Sequence, residues 1–236
     1  MINQPIIAVD VENAEKAAAL LEKLPKEPLF LKVGMELFYQ AGPSFVRELK
    51  KHGHRIFLDL KLHDIPHTVE KAALQIAALD VDLFTVHAAG GQAMIEAAVR
   101  GAEKGTRKGS EPPVCLAVTQ LTSTTEQVMQ KELLIDGSLA EAVRHFAGLA
   151  ARAGAGGVIC SAWEAAAVRE ERASGFMAVT PGIRLKGDDA GDQKRVADPA
   201  LAKEMGSSAI VVGRSITGAA DPAAAYHTIE KAWRNA

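Results

Sequence analysis

Short apolar runs alternate along this chain with longer stretches whose apolar residues recur every three to four positions. The runs cover residues 5–9, 29–33, 56–60, 83–86, 114–118, 157–160, 176–179 and 209–212, each of a length that suits a buried strand. Amphipathic stretches at 12–24, 44–52, 68–79, 139–151, 163–172, 199–205 and 222–233 are predicted as helices, as is one running from the Ala88-Ala89-Gly90-Gly91 turn through Arg100. A smaller extra helix is expected over 124–134. Strands that alternate with helices imply parallel pairing through crossover connections. Eight such units in 236 residues match a (β/α)8 TIM barrel, an α/β fold whose typical size is roughly 250 residues. No Pro/Gly/Ser linker divides the chain and no residue-level repeat underlies the alternation, so residues 1–236 are expected to form one domain.

The third run departs from its apolar neighbours. It reads Phe57-Leu58-Asp59-Leu60-Lys61-Leu62-His63-Asp64-Ile65-Pro66, with charges crowded at its end. Side chains alternate along a strand, so Asp59 and Lys61 are expected on one side and Leu58, Leu60 and Leu62 on the other. Burying an acid and a base on an otherwise apolar strand is costly. Asp-x-Lys alone also describes a structural ion pair at a strand end. Asp64 at the following turn and a second inward lysine, Lys32, near the end of the second run favour a catalytic array instead. With Asp10 ending the first run, charges of both signs converge on one barrel mouth. Each opposite neighbour offsets the desolvation of the next, and such an array can stabilise developing charge and hold a lysine ready as a proton donor.

A second cluster follows the eighth run, at Val211-Val212-Gly213-Arg214-Ser215. Glycine lets the backbone approach a ligand, and backbone N–H groups with an arginine suit a phosphate. Phosphate sites after strands seven and eight recur in this fold. The connection over residues 182–198 is long, polar and glycine-containing, and its Arg184 and Gln193 are candidates to close over the same phosphate.

Composition narrows the field. The chain is 48% hydrophobic and 24% charged with a formal net charge of -2, which argues against general affinity for nucleic acid or membranes. Cys115 and Cys160 lie in apolar runs outside any metal-ligand spacing, so buried, reduced thiols and a cytoplasmic location are expected. No leader peptide or membrane-spanning run is apparent. His63, His67 and His87 sit near the proposed mouth without the spacing of a metal site. No Walker loop, dinucleotide-binding glycine motif, serine elbow or Cys-x-x-Cys pair is present.

From Asp10 to Thr217 the chain resembles the orotidine 5′-phosphate decarboxylase family in its compact bacterial form. The resemblance rests on Leu31-Lys32-Val33-Gly34-Met35-Glu36, Asp59-x-Lys61-x-x-Asp64, Val118-Thr119-Gln120-Leu121-Thr122-Ser123, Thr180-Pro181-Gly182-Ile183-Arg184 and Val211-Val212-Gly213-Arg214. No functional position departs from the family pattern. The resemblance implies decarboxylation of orotidine 5′-monophosphate to uridine 5′-monophosphate in de novo pyrimidine biosynthesis, without metal or organic cofactor. It implies Lys32, Asp59, Lys61 and Asp64 as the charged tetrad, with Lys61 protonating pyrimidine C6. It implies a homodimer in which Asp64 and Thr68 reach the partner's site, and places Leu62, His63, Ile65, Pro66 and His67 in the same substrate-binding segment. Asp10 and Lys32 would bind ribose, Thr122 the pyrimidine ring, Pro181 an apolar wall, and Arg184, Gln193, Gly213 and Arg214 the phosphate.

Two rivals are discriminated by residues. A magnesium-dependent sugar-phosphate decarboxylase or aldolase of the same barrel suprafamily shares Asp-x-Lys-x-x-Asp but has glutamate in place of Lys32. A hard divalent cation needs oxygen ligands, and an ammonium among them would repel it. A non-catalytic phosphate-ligand sensor on a degenerate barrel would have no use for a complete tetrad.

Overall fold

Hydrogen bonding joins the eight apolar runs into one closed, all-parallel barrel in chain order. The computed structural model describes residues 2–170, 175–185 and 196–236. The strands are β1 (Ile6–Ala8), β2 (Phe30–Gly34), β3 (Arg55–Leu62), β4 (Leu83–His87), β5 (Val114–Val118), β6 (Gly157–Ile159), β7 (Met177–Thr180) and β8 (Ala209–Val212). Around them, among the described residues, lie α1 (Ala14–Glu22), α2 (Met35–Lys51), α3 (Pro66–Ala77), α4 (Gln92–Gly105), α5 (Glu126–Lys131), α6 (Leu139–Arg152), α7 (Ala162–Glu170), α8 (Pro199–Glu204), α9 (Arg214–Thr217) and α10 (Pro222–Asn235). The closing pair sets Ile6 of β1 beside Val211 of β8. The architecture is the (β/α)8 barrel that the alternation implies.

Two apolar cores result from strand alternation. One contains Ile6, Ala8, Phe30, Phe57, Leu83, Leu116, Val179, Ala209 and Val211 and draws on no helix, so it fills the barrel interior. Their strand neighbours, among them Ile7, Leu31, Leu58, Phe84, Ala117, Val158 and Val212, face outward and pack with the helices in the larger core. One step of two residues toward the C-terminal end leads from the inner core to the functional layer. Ala8 gives way to Asp10, Phe30 to Lys32, Phe57 to Asp59, Leu83 to Thr85, Leu116 to Val118, and Val211 to Gly213.

The opposite end of the barrel is tied by charges with a structural task. Asp82, just before β4, accepts from Lys50 Nζ at 3.0 Å and from the Ile56 backbone N–H at 2.8 Å. Its other oxygen meets Arg55 Nε at 3.2 Å, and that guanidinium lies 4.2 Å from the centre of the Phe30 ring.

Two helices extend beyond the sequence expectation, each across or up to a glycine. The helix expected over 44–52 begins at Met35, with a break at Gly42 (φ 71°, ψ -175°) before Pro43. Both segments bury apolar faces, through Leu37 on one side and Phe45, Val46 and Leu49 on the other. Packing therefore holds residues 35–41 helical despite the Gly-Pro interruption. The fourth barrel helix continues past Arg100 to Gly105 because its glycines serve the contact with α3. A Cβ at Gly101 would overlap the Glu70 carbonyl, and one at Gly105 the Leu74 carbonyl. The extra helix is shorter than 124–134, and the four residues of α9 form a turn that the pattern did not reveal.

This close α3–α4 contact matters to the site, since α3 starts at Pro66, immediately after the charged strand end. Gly105→Ala should gain about 0.5–1 kcal/mol in helix propensity and lose about 1–3 kcal/mol by overpacking. The clash is with backbone, so the loss is expected to win, lowering the melting temperature by roughly 2–8 °C. A melting temperature equal to or above the parent's would show that the two helices separate freely.

Candidate active site

The functional side chains stand on the layer of the barrel just above its apolar filling. β1 aligns Ala8 with Lys32 on β2, and β2 aligns Gly34 with Asp59 on β3. That stagger places four charges from three successive strands in one row. Lys32 Nζ lies 2.8 Å from Asp10 Oδ1 and 3.7 Å from Asp59 Oδ2. Lys61 Nζ lies 2.9 Å from Asp59 Oδ2 and 3.0 Å from Oδ1. The order is Asp10, Lys32, Asp59, Lys61, with signs alternating throughout. The inner members Lys32 and Asp59 are only 11% and 12% exposed at their side chains, whereas Asp10 is 60% exposed. Ions so deep cost several kcal/mol each to desolvate, and only opposite neighbours at hydrogen-bond distance offset that.

Lys61 reaches this row by an irregularity. Register between β3 and β4 shifts between Leu58 and Leu62, and Lys61 has φ of 51°. Left-handed backbone costs a non-glycine residue about 1–2 kcal/mol. The freed Lys61 N–H donates to Thr85 Oγ1 at 2.9 Å, while that hydroxyl donates to Asp59 Oδ1 at 2.9 Å. Lys61 and Asp59 thus share a side, as alternation predicts, but through a bulge. Leu60 and Leu62 pack toward the helices.

The row forms one wall of a cavity of about 490 Å³, a size suited to a small ligand. Facing it are Val118, Ile159, Pro181 and Val211, so strands β1–β3 supply charge and strands β5–β8 supply apolar surface. Thr122 lines the cavity beyond β5. Arg184, Gly213 and Arg214 also line it, Gly213 from the end of β8, beside β1. Arg184 is 8% exposed, and its Nη1 donates to the Ile183 carbonyl at 2.9 Å. Its backbone N–H donates to the Ala197 carbonyl at 3.0 Å, which anchors the two described ends of the long connection beside the cavity. Gln193 lies outside the described residues.

The segment after β3 stands apart from this cavity. His63, Asp64, Ile65, Pro66, His67 and Thr68 are exposed, and neither they nor Leu62 line it. Asp64 accepts from the adjacent Ile65 N–H at 2.6 Å. The rings of His63 and His87 lie 5.4 Å apart. Burial, then the neighbouring His63 and Lys61, hold His87 below the ordinary histidine range. Asp59 acts in the opposite sense. Burial thus favours the neutral form of this imidazole at the end of β4.

Several lining or supporting residues were not singled out from the sequence. Gln120 is a buried polar residue at the cavity, Ile159 part of its apolar wall, and Thr85 a buried threonine inside an apolar strand. Only the lone hydroxyl in Leu-Phe-Thr-Val could have flagged Thr85. Gly34 also has a spatial task, since a Cβ there would stand 3.2 Å from Asp10 Oδ1 and 3.4 Å from Lys32 Nζ.

Fold and site together define an enzyme of the (β/α)8-barrel class, with an acid–base row at the C-terminal face and basic groups across the mouth. Comparison narrows the class. The model of the Orotidine 5′-phosphate decarboxylase / HUMPS family matches residues 3–229, and the chain belongs to this family. It is 55% identical over 233 residues to the orotidine 5′-phosphate decarboxylase of Halalkalibacterium halodurans, covering 99% of both chains. It is 53% identical over 228 residues to the protein of that name from Bacillus cereus, covering 97% of this chain and 96% of the other. Among solved structures, that of orotidine 5′-phosphate decarboxylase from Lactobacillus acidophilus superposes with a TM-score of 0.89 at 46% identity, covering 99% of each chain. An uncharacterized conserved protein from Geobacillus kaustophilus superposes with a TM-score of 0.86 at 45% identity, covering 97% of this chain and 99% of the other.

Gly34→Ala should displace the Asp10 carboxylate by a few tenths of an ångström and lengthen its contact with Lys32, at a cost of about 1 kcal/mol. A crystal structure and melting curve of the variant would measure both. An unchanged contact would mean that the methyl group is absorbed elsewhere.

Proposed function

We propose that this protein decarboxylates orotidine 5′-monophosphate to uridine 5′-monophosphate, within de novo pyrimidine biosynthesis and without a cofactor. The observation that carries the reading is the Asp10–Lys32–Asp59–Lys61 row, which interleaves two ammonium groups with two carboxylates at a cavity that two arginines also line. Arg184, Arg214 and the Gly213 backbone suit the phosphate, with Gln193 assigned to the same grip. Thr122 serves the pyrimidine ring, Pro181 its apolar flank, and Asp10 with Lys32 the ribose.

The substrate carboxylate then lies beside Asp59. The bond from C6 to the carboxylate carbon breaks, its electron pair stays on C6, and carbon dioxide leaves. The Lys61 ammonium gives a proton to C6 and becomes an amine that solvent reprotonates. A cation beside C6 favours the forming carbanion more than the neutral carbon of the starting state, and that difference lowers the barrier. Low-dielectric surface from Val118 and Ile159 strengthens the effect. Binding energy from the distant phosphate organises the charged end.

A magnesium-dependent sugar-phosphate reaction is disfavoured by Lys32, whose ammonium occupies the space between Asp10 and Asp59 where a hard cation would need oxygens. The test is loss of substrate ultraviolet absorbance on adding pure protein, with and without exhaustive chelation. Turnover should survive chelation. Lys61→Ala should lower turnover by at least about 10³-fold while uridine 5′-monophosphate still binds. Near-normal turnover in that variant, or dependence on magnesium, would reject the reading.

The working unit in this reading is a homodimer in which Asp64 and Thr68 enter the partner's site. The exposure of residues 63–68 next to the mouth supports it, with Ile65 66% exposed although apolar. Lys61→Ala and Asp64→Ala homodimers would each be inactive. A mixed dimer carries both lesions in one site and none in the other, so random mixing should restore up to about a quarter of wild-type sites. Co-refolded chains with distinct tags would measure this. Mixed dimers as inactive as their parents would place Asp64 outside the partner's site.

A further inference from the structure

Thr85 is a buried polar side chain in contact with the charged row that the proposed chemistry leaves without a task. It is 1% exposed, sits below the cavity lining, and lies between apolar residues of β4. Its hydroxyl has one proton and two contacts whose directions are determined. The Lys61 backbone N–H can only donate, so Thr85 Oγ1 accepts that bond at 2.9 Å. The hydroxyl's own proton is therefore free for Asp59 Oδ1, also at 2.9 Å. This oxygen additionally receives Lys61 Nζ at 3.0 Å. One hydroxyl thus touches both the backbone of the lysine and the carboxylate that its ammonium grips.

We propose that Thr85 is a positioning residue for the decarboxylation, holding the Lys61 bulge and the Asp59 carboxylate in the mutual geometry that proton delivery requires. Two costs make such a brace necessary. Lys61 has φ of 51°, a backbone state that an L-residue leaves unless neighbours hold it. The register shift between Leu58 and Leu62 also removes the N–H of Lys61 from the strand ladder, and a buried N–H without a partner is destabilising. Thr85 meets both needs from the adjacent strand, where its Cα pairs with Leu116. The branched Cβ restricts the hydroxyl to few rotamers, so the brace is stiff. Without it, the bulge can relax toward a regular strand and carry the Lys61 ammonium away from C6. A misplacement of about 1 Å can cost about 10²-fold in rate.

The inference rests on the decarboxylase reading, and the test separates the two. Thr85→Val keeps shape and removes the hydroxyl, Thr85→Ala removes it without steric demand, and Thr85→Ser keeps it. Both hydroxyl-free variants should lose about 10–30-fold in kcat with KM within about threefold of wild type. Thr85→Ser should stay within about threefold in both constants. Hydrogen exchange of the Lys61 amide, followed by nuclear magnetic resonance, supplies a readout that needs no turnover. It should be at least about tenfold faster in Thr85→Val and near wild type in Thr85→Ser. A wild-type protein that fails to decarboxylate would reject the decarboxylase reading, leaving amide exchange to judge the brace. Equal losses in the serine and valine variants, a loss confined to KM, unchanged kcat, or unchanged Lys61 exchange would each overturn the positioning role. Unfolding of both hydroxyl-free variants would do so too, by making Thr85 a folding element.

Discussion

The ammonium of Lys32, held between the carboxylates of Asp10 and Asp59, is the contact on which the rest of the site depends. It is almost wholly buried, and an unpaired charge at that depth would cost more than the site could bear. Asp59 in turn separates Lys32 from Lys61, so two cations coexist in a small volume. Each member is tolerable only because its neighbours are present. Removing one would expose the next to the full desolvation penalty, on the order of 3–5 kcal/mol for a deeply buried partner. The barrel must therefore hold three strands in one stagger, and the apolar layer of Ala8, Phe30 and Phe57 beneath the charges maintains it.

The barrel interior is divided lengthwise as well as in layers. β1 to β4 carry Asp10, Lys32, Asp59, Lys61 and Thr85 near their C-terminal ends, while β5 to β8 lead to Val118, Ile159, Pro181 and Val211. Charge faces apolar surface across the cavity. Coulomb interactions strengthen when water is excluded on one side, so the apolar half acts on the charged half without touching it. Arg184 and Arg214 line the same cavity, and their positive charge favours a ligand that carries an anionic group.

Support for the charged end comes from further out. The strand bearing Asp59 and Lys61 runs directly into the exposed segment before α3, and α3 packs backbone-close on Gly101 and Gly105 of α4. Small residues at that contact keep α3, which begins at Pro66, close against α4. Thr85 braces the same strand from inside the barrel.

Much of this was legible locally. Strand and helix periodicities announced eight units, and the run over β5 and that over β8 have the boundaries their apolar residues suggest, because a buried strand is defined by its own side chains. Asp59, Lys61 and Lys32 stood out because charges inside apolar runs violate the burial rule that governs their neighbours. Sequence alone could not say which strand residue faces which across the barrel, since register is settled by the closure of the whole sheet. The bulge at Lys61 and its brace by Thr85 are such cross-strand facts, between residues 24 positions apart. Nor does the local pattern show that Gly42 is a tolerated break, or that Gly101 and Gly105 are points of close helix contact, because packing decides both. Residue chemistry and period are written in the chain one position at a time. Distances between side chains far apart in sequence exist only once the barrel has closed.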